Sequence, residues 1–236
     1  MQLIEQMDRM LRRENLDLRL TPYRVLATST SDGLVDFVAA QALSRVLSDY
    51  RSINRYLAQR YPDSRGYDGV RPDGEHRKAC HVARRQQHTP VPPRSHPVHD
   101  NFVRSCAGYS VITYILGVGD RHLDNILLTP EGRLFHIDFG FMMGRDPKPY
   151  AALPVRLSPE MIEAMGGPQH TLYRSFRQHC CEAYNILRRK SRLVYSMLHL
   201  MCGASLPDIG PDPAQLAIKL QVCVGGGAAC FALALD

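Results

Sequence analysis

No tryptophan occurs among the 236 residues, and no lysine precedes Lys78. The seven cysteines form no Cys-x-x-Cys pair, so they read as reduced cytosolic thiols. No secretory signal opens the chain. The C-terminal apolar run, Val222 to Leu235, is 14 residues long and contains Gly225-Gly226-Gly227, too short and glycine-rich to span a bilayer. No internal repeat is present. Nor is there a basic patch interleaved with aromatics, so nucleic acid is not an expected partner. The net charge of +6 is mild and suits an anionic membrane surface. Residues 62–99 lack Leu, Ile, Met and Phe but hold six Pro, five His and six Arg. Such a stretch buries too little apolar surface to offset its ordering entropy, so it reads as a disordered basic insertion. Its histidines and Cys80 lack zinc-finger spacing, and no metal is expected there.

What is present supports a core, with 44% hydrophobic residues. Leu3, Ile4, Met7, Met10 and Leu11 recur at helical spacing, with Arg12 and Arg13 suiting the last turn. Leu16, Leu18 and Leu20 alternate, as in a strand. Tyr23 to Thr28 and Leu34 to Val38 read as a hairpin turning at Asp32-Gly33. Ser52 to Tyr61 and Asn101 to Leu116 are expected helices. Gly117 and Gly119 stop the second and deliver a loop. Ser158-Pro159-Glu160 is a helix start with cap, proline and acid in order. His170 to Arg189 and Arg192 to Met201 follow as amphipathic helices, then a loop over Pro207 to Pro213 and a short helix from Ala214 to Gln221.

The most specific stretch is residues 119–140, GDRHLDNILLTPEGRLFHIDFG. Asp120, His122 and Asn125 precede a predicted hairpin, and Asp138 follows it in Asp-Phe-Gly. Thr129-Pro130-Glu131-Gly132 is a good type I turn. With those four residues as the loop, Asn125 is expected opposite His136, and Asp138 on its diagonal about 7–8 Å away on the same face. A carboxamide and a carboxylate so placed would share one cation. Magnesium suits few protein ligands plus phosphate oxygens. A one-residue slip would send the two to opposite faces. A proton acceptor beside magnesium ligands is the equipment of phosphoryl transfer.

The order Asp-Arg-His, then Asn, resembles the phosphatidylinositol 3-/4-kinase family, which includes protein-kinase relatives. The segment Gly144-Arg145-Asp146-Pro147-Lys148-Pro149 narrows the likeness to the class III phosphatidylinositol 3-kinases of vacuolar sorting and autophagy. Glu14-Asn15-Leu16-Asp17-Leu18, Leu20-Thr21-Pro22-Tyr23, Ala27-Thr28-Ser29-Thr30, Ser105-Cys106-Ala107-Gly108-Tyr109 and Glu163-Ala164-Met165-Gly166-Gly167 resemble the same class. The likeness covers about residues 2–61 and 101–221.

The resemblance implies an α+β, protein-kinase-like two-lobed fold with a truncated N-terminal lobe and a mainly helical C-terminal lobe. Residues 1–38 would be the N-lobe remnant, 39–61 the start of the C-lobe, and 100–221 its bulk. That bulk carries a catalytic loop at 119–127 and an activation segment at 138–160. Residues 222–236 would be an atypical tail. The implied reaction is ATP-dependent phosphorylation of phosphatidylinositol at the inositol 3-hydroxyl, with Mg2+ or Mn2+. His122 would be the general base and Asp120 would orient it or share the task. Asn125 and Asp138 would hold the metal. Tyr23, Phe37, Val38, Leu127 and Ile137 would contact ATP, with Asp36-Phe37-Val38 joining the lobes. Arg145 and Lys148, two separated cations, point to a singly charged lipid headgroup. The family's partners are membrane phosphatidylinositol, a regulatory kinase subunit and an autophagy scaffold protein. Its location is cytoplasmic, peripheral on endosomal and autophagic membranes. A strand lysine and a phosphate loop are expected upstream of Met1, so the 236 residues alone are expected to be nearly inactive. The alternatives left open are a non-catalytic remnant and a serine/threonine kinase of the same superfamily.

Overall fold

A computed structural model describes residues 1–29, 31–60, 97–147 and 155–202. The expected insertion therefore lies outside the described residues except at its end, as do the expected helix over Ala214 to Gln221 and the C-terminal tail. The architecture is mixed helix and strand. Helix α1 (Gln2–Arg13) buries all five of its periodic apolar residues, Leu3, Ile4, Met7, Met10 and Leu11. It ends in a left-handed Asn15 (φ 61), with Leu16 N–H donating to Leu11 O and Asn15 N–H to Arg12 O, each at 3.0 Å. That is the Schellman pattern, and the buried Leu16 and Leu11 supply its apolar contact.

Leu16, Leu18 and Leu20 are buried, but their segment is not a strand. Arg19 breaks the extension at φ 53. The segment is instead strapped onto helix α4 (Pro97–Leu116), which starts four residues before its expected position. Arg104 Nη1 donates to Asp17 O at 3.0 Å and Tyr109 O–H to Thr21 O at 3.1 Å. Gly108 makes the approach possible, since a Cβ there would lie 2.6 Å from Leu20 Cδ2.

Strands β1 (Val25–Ala27) and β2 (Gly33–Val35) pair antiparallel, Leu26 opposite Leu34. The turn is not at Asp32-Gly33, because Gly33 sits inside β2. Ser29 Oγ builds it, accepting N–H from Ser31 at 3.1 Å and Asp32 at 2.9 Å. The ribbon is exposed on both faces, with Val25, Leu26, Leu34 and Val35 all more than half exposed.

A second sheet has the order β3 (Gln41–Ala42), β4 (Ile126–Leu128), β5 (Leu134–His136), all antiparallel. Helices α2 (Leu43–Tyr50) and α3 (Ile53–Arg60) follow β3. Ile126, Leu128, Leu134 and His136 form its buried face. Ser105 of α4 reaches this sheet, accepting the Leu134 N–H at 2.9 Å. Helix α5 (Pro159–Ala164) is capped as expected, Ser158 Oγ accepting from Met161 N–H at 3.4 Å. Helices α6 (Thr171–Arg189) and α7 (Ser191–His199) complete the described chain, α6 lying along α4 and α1. Among the described residues no helix is long and apolar enough to cross a membrane.

Candidate active site

The β4–β5 hairpin differs from expectation by one residue. Ile126, not Asn125, lies opposite His136. The type I turn is there, Gly132 N–H donating to Thr129 O at 3.0 Å. But Gly132 is left-handed (φ 81), and Thr129 N–H donates to Arg133 O at 2.9 Å. The loop is thus three residues with a glycine bulge, not four, and the far strand shifts. Strand alternation alone would now set Asn125 and Asp138 on opposite faces. It does not govern either residue. Asn125 ends a 3-10 turn, Leu123–Asn125, and Asp138 lies past β5 in the left-handed region at φ 56.

What ties the two sides together is Arg121, to which the sequence reading gave no role. Its Nε donates to Gly119 O at 2.7 Å and its Nη1 to Ile137 O at 2.9 Å, while Nη2 donates to Asp138 O. Its guanidinium also lies 5.5 Å from the Phe139 ring centre. One rigid fork of donors therefore fixes the catalytic-loop backbone to the backbone of Asp138. Burial lowers the pKa of Arg121, and the charges of Asp138, Asp120, Tyr23 and Asp146 oppose that shift. These acids are neighbours of one cation. The only sequence signal for this was the position of Arg121 between Asp120 and His122.

Asp120 is itself left-handed (φ 54), and its N–H donates to Asp146 Oδ2 at 3.1 Å. Two aspartates held at positive φ are a local strain of the kind that gathers at functional sites. Gly119 permits the close packing of this loop on the segment after Phe139. A Cβ at 119 would lie 2.2 Å from Arg145 O. Backbone bonds from Gly119 N–H to Phe141 O (3.0 Å), Met143 N–H to Leu116 O (2.9 Å) and Gly144 N–H to Gly117 O (2.8 Å) complete the seam.

His122 Nε2 is 3.9 Å from Asp120 Oδ2, and its Nδ1 accepts the Asp124 N–H at 3.3 Å. Asn125 is buried and donates from Nδ2 to Asp120 O at 3.0 Å, which leaves its carboxamide oxygen as the ligand atom. Asp138 is exposed and spends Oδ1 on Gly140 N–H at 3.1 Å, leaving Oδ2. Among the described residues no group of three or more His, Cys, Asp or Glu could hold a metal by itself. One carboxamide and one carboxylate oxygen fit magnesium, which takes few protein ligands and completes its shell with water and phosphate oxygens.

The expected nucleotide residues divide. Tyr23 meets Phe135 edge-on at 6.2 Å between ring centres. Leu127 pairs with Phe135, and Ile137 is two residues on, so all share the less buried face of the sheet. Burial raises the pKa of Tyr23, and the Asp138 charge adds to that while Arg121 opposes it. Val38 packs against the core, whereas the Phe37 side chain is 93% exposed, leaving only its backbone for the expected contact. Arg145 lies 5.7 Å from the Phe141 ring centre. Lys148 lies outside the described residues.

A cavity of about 1010 Å³ opens beside this seam, lined by the start of α1, Tyr23, both strands of the β1–β2 ribbon, Phe139 and Met142.

Residues 1–210 match the family described as phosphatidylinositol 3- and 4-kinase. The chain is similar to phosphatidylinositol 3-kinase VPS34 of Arabidopsis thaliana, 48% identical over 93% of this chain and 24% of that protein. It is also similar to phosphatidylinositol 3-kinase VPS34 of Saccharomyces cerevisiae, at 44% over 93% and 22%. A third relative is phosphatidylinositol 3-kinase pik3 of Schizosaccharomyces pombe, at 40% over 93% and 25%. The chain thus spans about a quarter of the length of the curated relatives it matches.

Proposed function

The chain belongs to the phosphatidylinositol 3- and 4-kinase family, and from that premise we propose that it carries the catalytic loop and activation segment of an ATP-dependent kinase acting on the inositol 3-hydroxyl of phosphatidylinositol. The observation that supports this best is Arg121, whose three bonds to backbone carbonyls set Asp120, His122 and Asp138 around one centre. The names of the relatives support the lipid and the 3-position.

In this reading Asp120 and His122 form the pair that receives the hydroxyl proton. Asn125 and Asp138 hold Mg2+ or Mn2+, which neutralises charge on the nucleotide phosphates when bound. Leu127, Ile137 and Tyr23 form the apolar wall under adenine, and the backbone at Phe37 and Val38 meets its edge. Arg145 and Lys148 face the lipid headgroup. Residues 1–38 are the part of an N-terminal lobe, and 100–221 most of a C-terminal lobe, in a two-lobed kinase. The substrate sits in membranes, and a regulatory kinase subunit and an autophagy scaffold protein are the proposed partners. The place of work is the cytoplasmic surface of endosomal and autophagic membranes.

The test begins with Mg·ATP binding. At 100 times its dissociation constant the nucleotide adds about 2.7 kcal/mol of stability. A rise of the thermal midpoint by several degrees is expected, abolished in Asn125→Ala and Asp138→Asn. Turnover by the 236 residues alone is expected to be slight, and whatever phosphate moves from ATP should appear on phosphatidylinositol in vesicles rather than on peptide serine. A chain indifferent to Mg·ATP overturns the reading.

A further inference from the structure

Ser44 and Asp124 are 80 residues apart in sequence, yet Ser44 Oγ donates to Asp124 Oδ1. Ser44 lies in the first turn of α2, so this bond anchors the catalytic loop to a helix outside it. The Asp124 backbone N–H then donates to His122 Nδ1 at 3.3 Å, and His122 Nε2 faces Asp120 Oδ2 at 3.9 Å. Each donor in this line points the same way, from α2 toward Asp120. A ring nitrogen that accepts a hydrogen bond carries no proton, so a neutral His122 must bear its proton on Nε2.

We infer that Ser44 and Asp124 are positioning residues that lock His122 as the Nε2–H tautomer and aim that N–H at Asp120. The inference rests on the proposed phosphotransfer site for its use, though not for its geometry. With the ring so held, its single lone pair is spent on the Asp124 amide. The carboxylate of Asp120 is then the member of the pair with lone pairs open to the substrate hydroxyl. His122 donates toward that carboxylate and orients it. The contact at 3.9 Å is longer than a hydrogen bond, as catalytic pairs often are before substrate binds.

The experiment is a long-range proton–nitrogen correlation of the imidazole rings in the nitrogen-labelled 236-residue chain at neutral pH, without nucleotide or lipid. The His122 signals are assigned by their loss in His122→Gln. The expected result is a bare Nδ1 and a protonated Nε2, at a tautomer ratio above that of the same ring in the urea-unfolded chain. Ser44→Ala and Asp124→Ala should each lower the ratio roughly two- to tenfold, the worth of one hydrogen bond. Ser44→Thr, which keeps the hydroxyl, should restore it. A proton on Nδ1, a doubly protonated ring, or a ratio unmoved by Ser44→Ala would overturn the inference. Because the ring is read without ATP, this outcome is independent of the Mg·ATP response that tests the function.

Discussion

His136 is 3% exposed, its ring lies 5.3 Å from that of Tyr109 at 13°, and burial first, then the Arg121 charge, push its pKa down to about 3. The unfolded ring titrates near 6.5. Between those values the unfolded chain binds a proton that the folded chain refuses, so stability falls as pH drops through about 6.5. The loss is at most about 1.4 kcal/mol per pH unit from this one group. Urea unfolding at pH 7.5 and 5 should show it, and His136→Phe, which keeps the stack, should have the shallower dependence. Equal slopes would mean that the ring is protonated inside the fold. The residue was visible in the sequence only as the tenant of a strand. Its sealed side follows from the packing of β5 on α4, which one-residue alternation does not reveal.

The β4–β5 turn carries the lesson at the scale of elements. Gly132 has φ 81, and a Cβ there would lie 2.5 Å from Val98 O, a backbone atom of α4 that cannot easily yield. Gly132→Ala should therefore cost about 1–2 kcal/mol from the left-handed backbone alone, and more from the clash. Its denaturation midpoint should fall accordingly; an unchanged midpoint would show that the bulge is not required. The turn tetrapeptide was legible in the sequence, and so were the inward faces of α1, α3, α4 and the capped start of α5. Those depend on periods and caps within one element. The register was not legible, because a left-handed glycine consumes a residue that a type I turn without a bulge leaves to the strand. The Leu16–Leu20 alternation was read correctly as burial and wrongly as a strand, since the segment's polar bonds go to α4. The role of Arg121 was hidden for a related reason. It binds carbonyl oxygens, which every residue possesses, so no partner type marks it.

For the whole molecule, the β1–β2 ribbon is the most open apolar surface described. Leu26 and Leu34 are 62% and 64% exposed and sit directly opposite each other. An uncovered two-stranded ribbon of this kind invites pairing with another chain. The isolated 236 residues should self-associate with rising concentration in sedimentation experiments. Leu26→Lys with Leu34→Glu should suppress this while moving the unfolding midpoint by no more than about 0.5 kcal/mol. Association that persists unchanged would place the sticky surface elsewhere. The three-stranded sheet is guarded differently. Its β5 side gives the Leu134 amide to the Ser105 hydroxyl. A foreign peptide that seeks to lengthen this sheet by one strand finds that flank already fastened to a helix, and its way in is at the other margin, alongside Gln41 and Ala42.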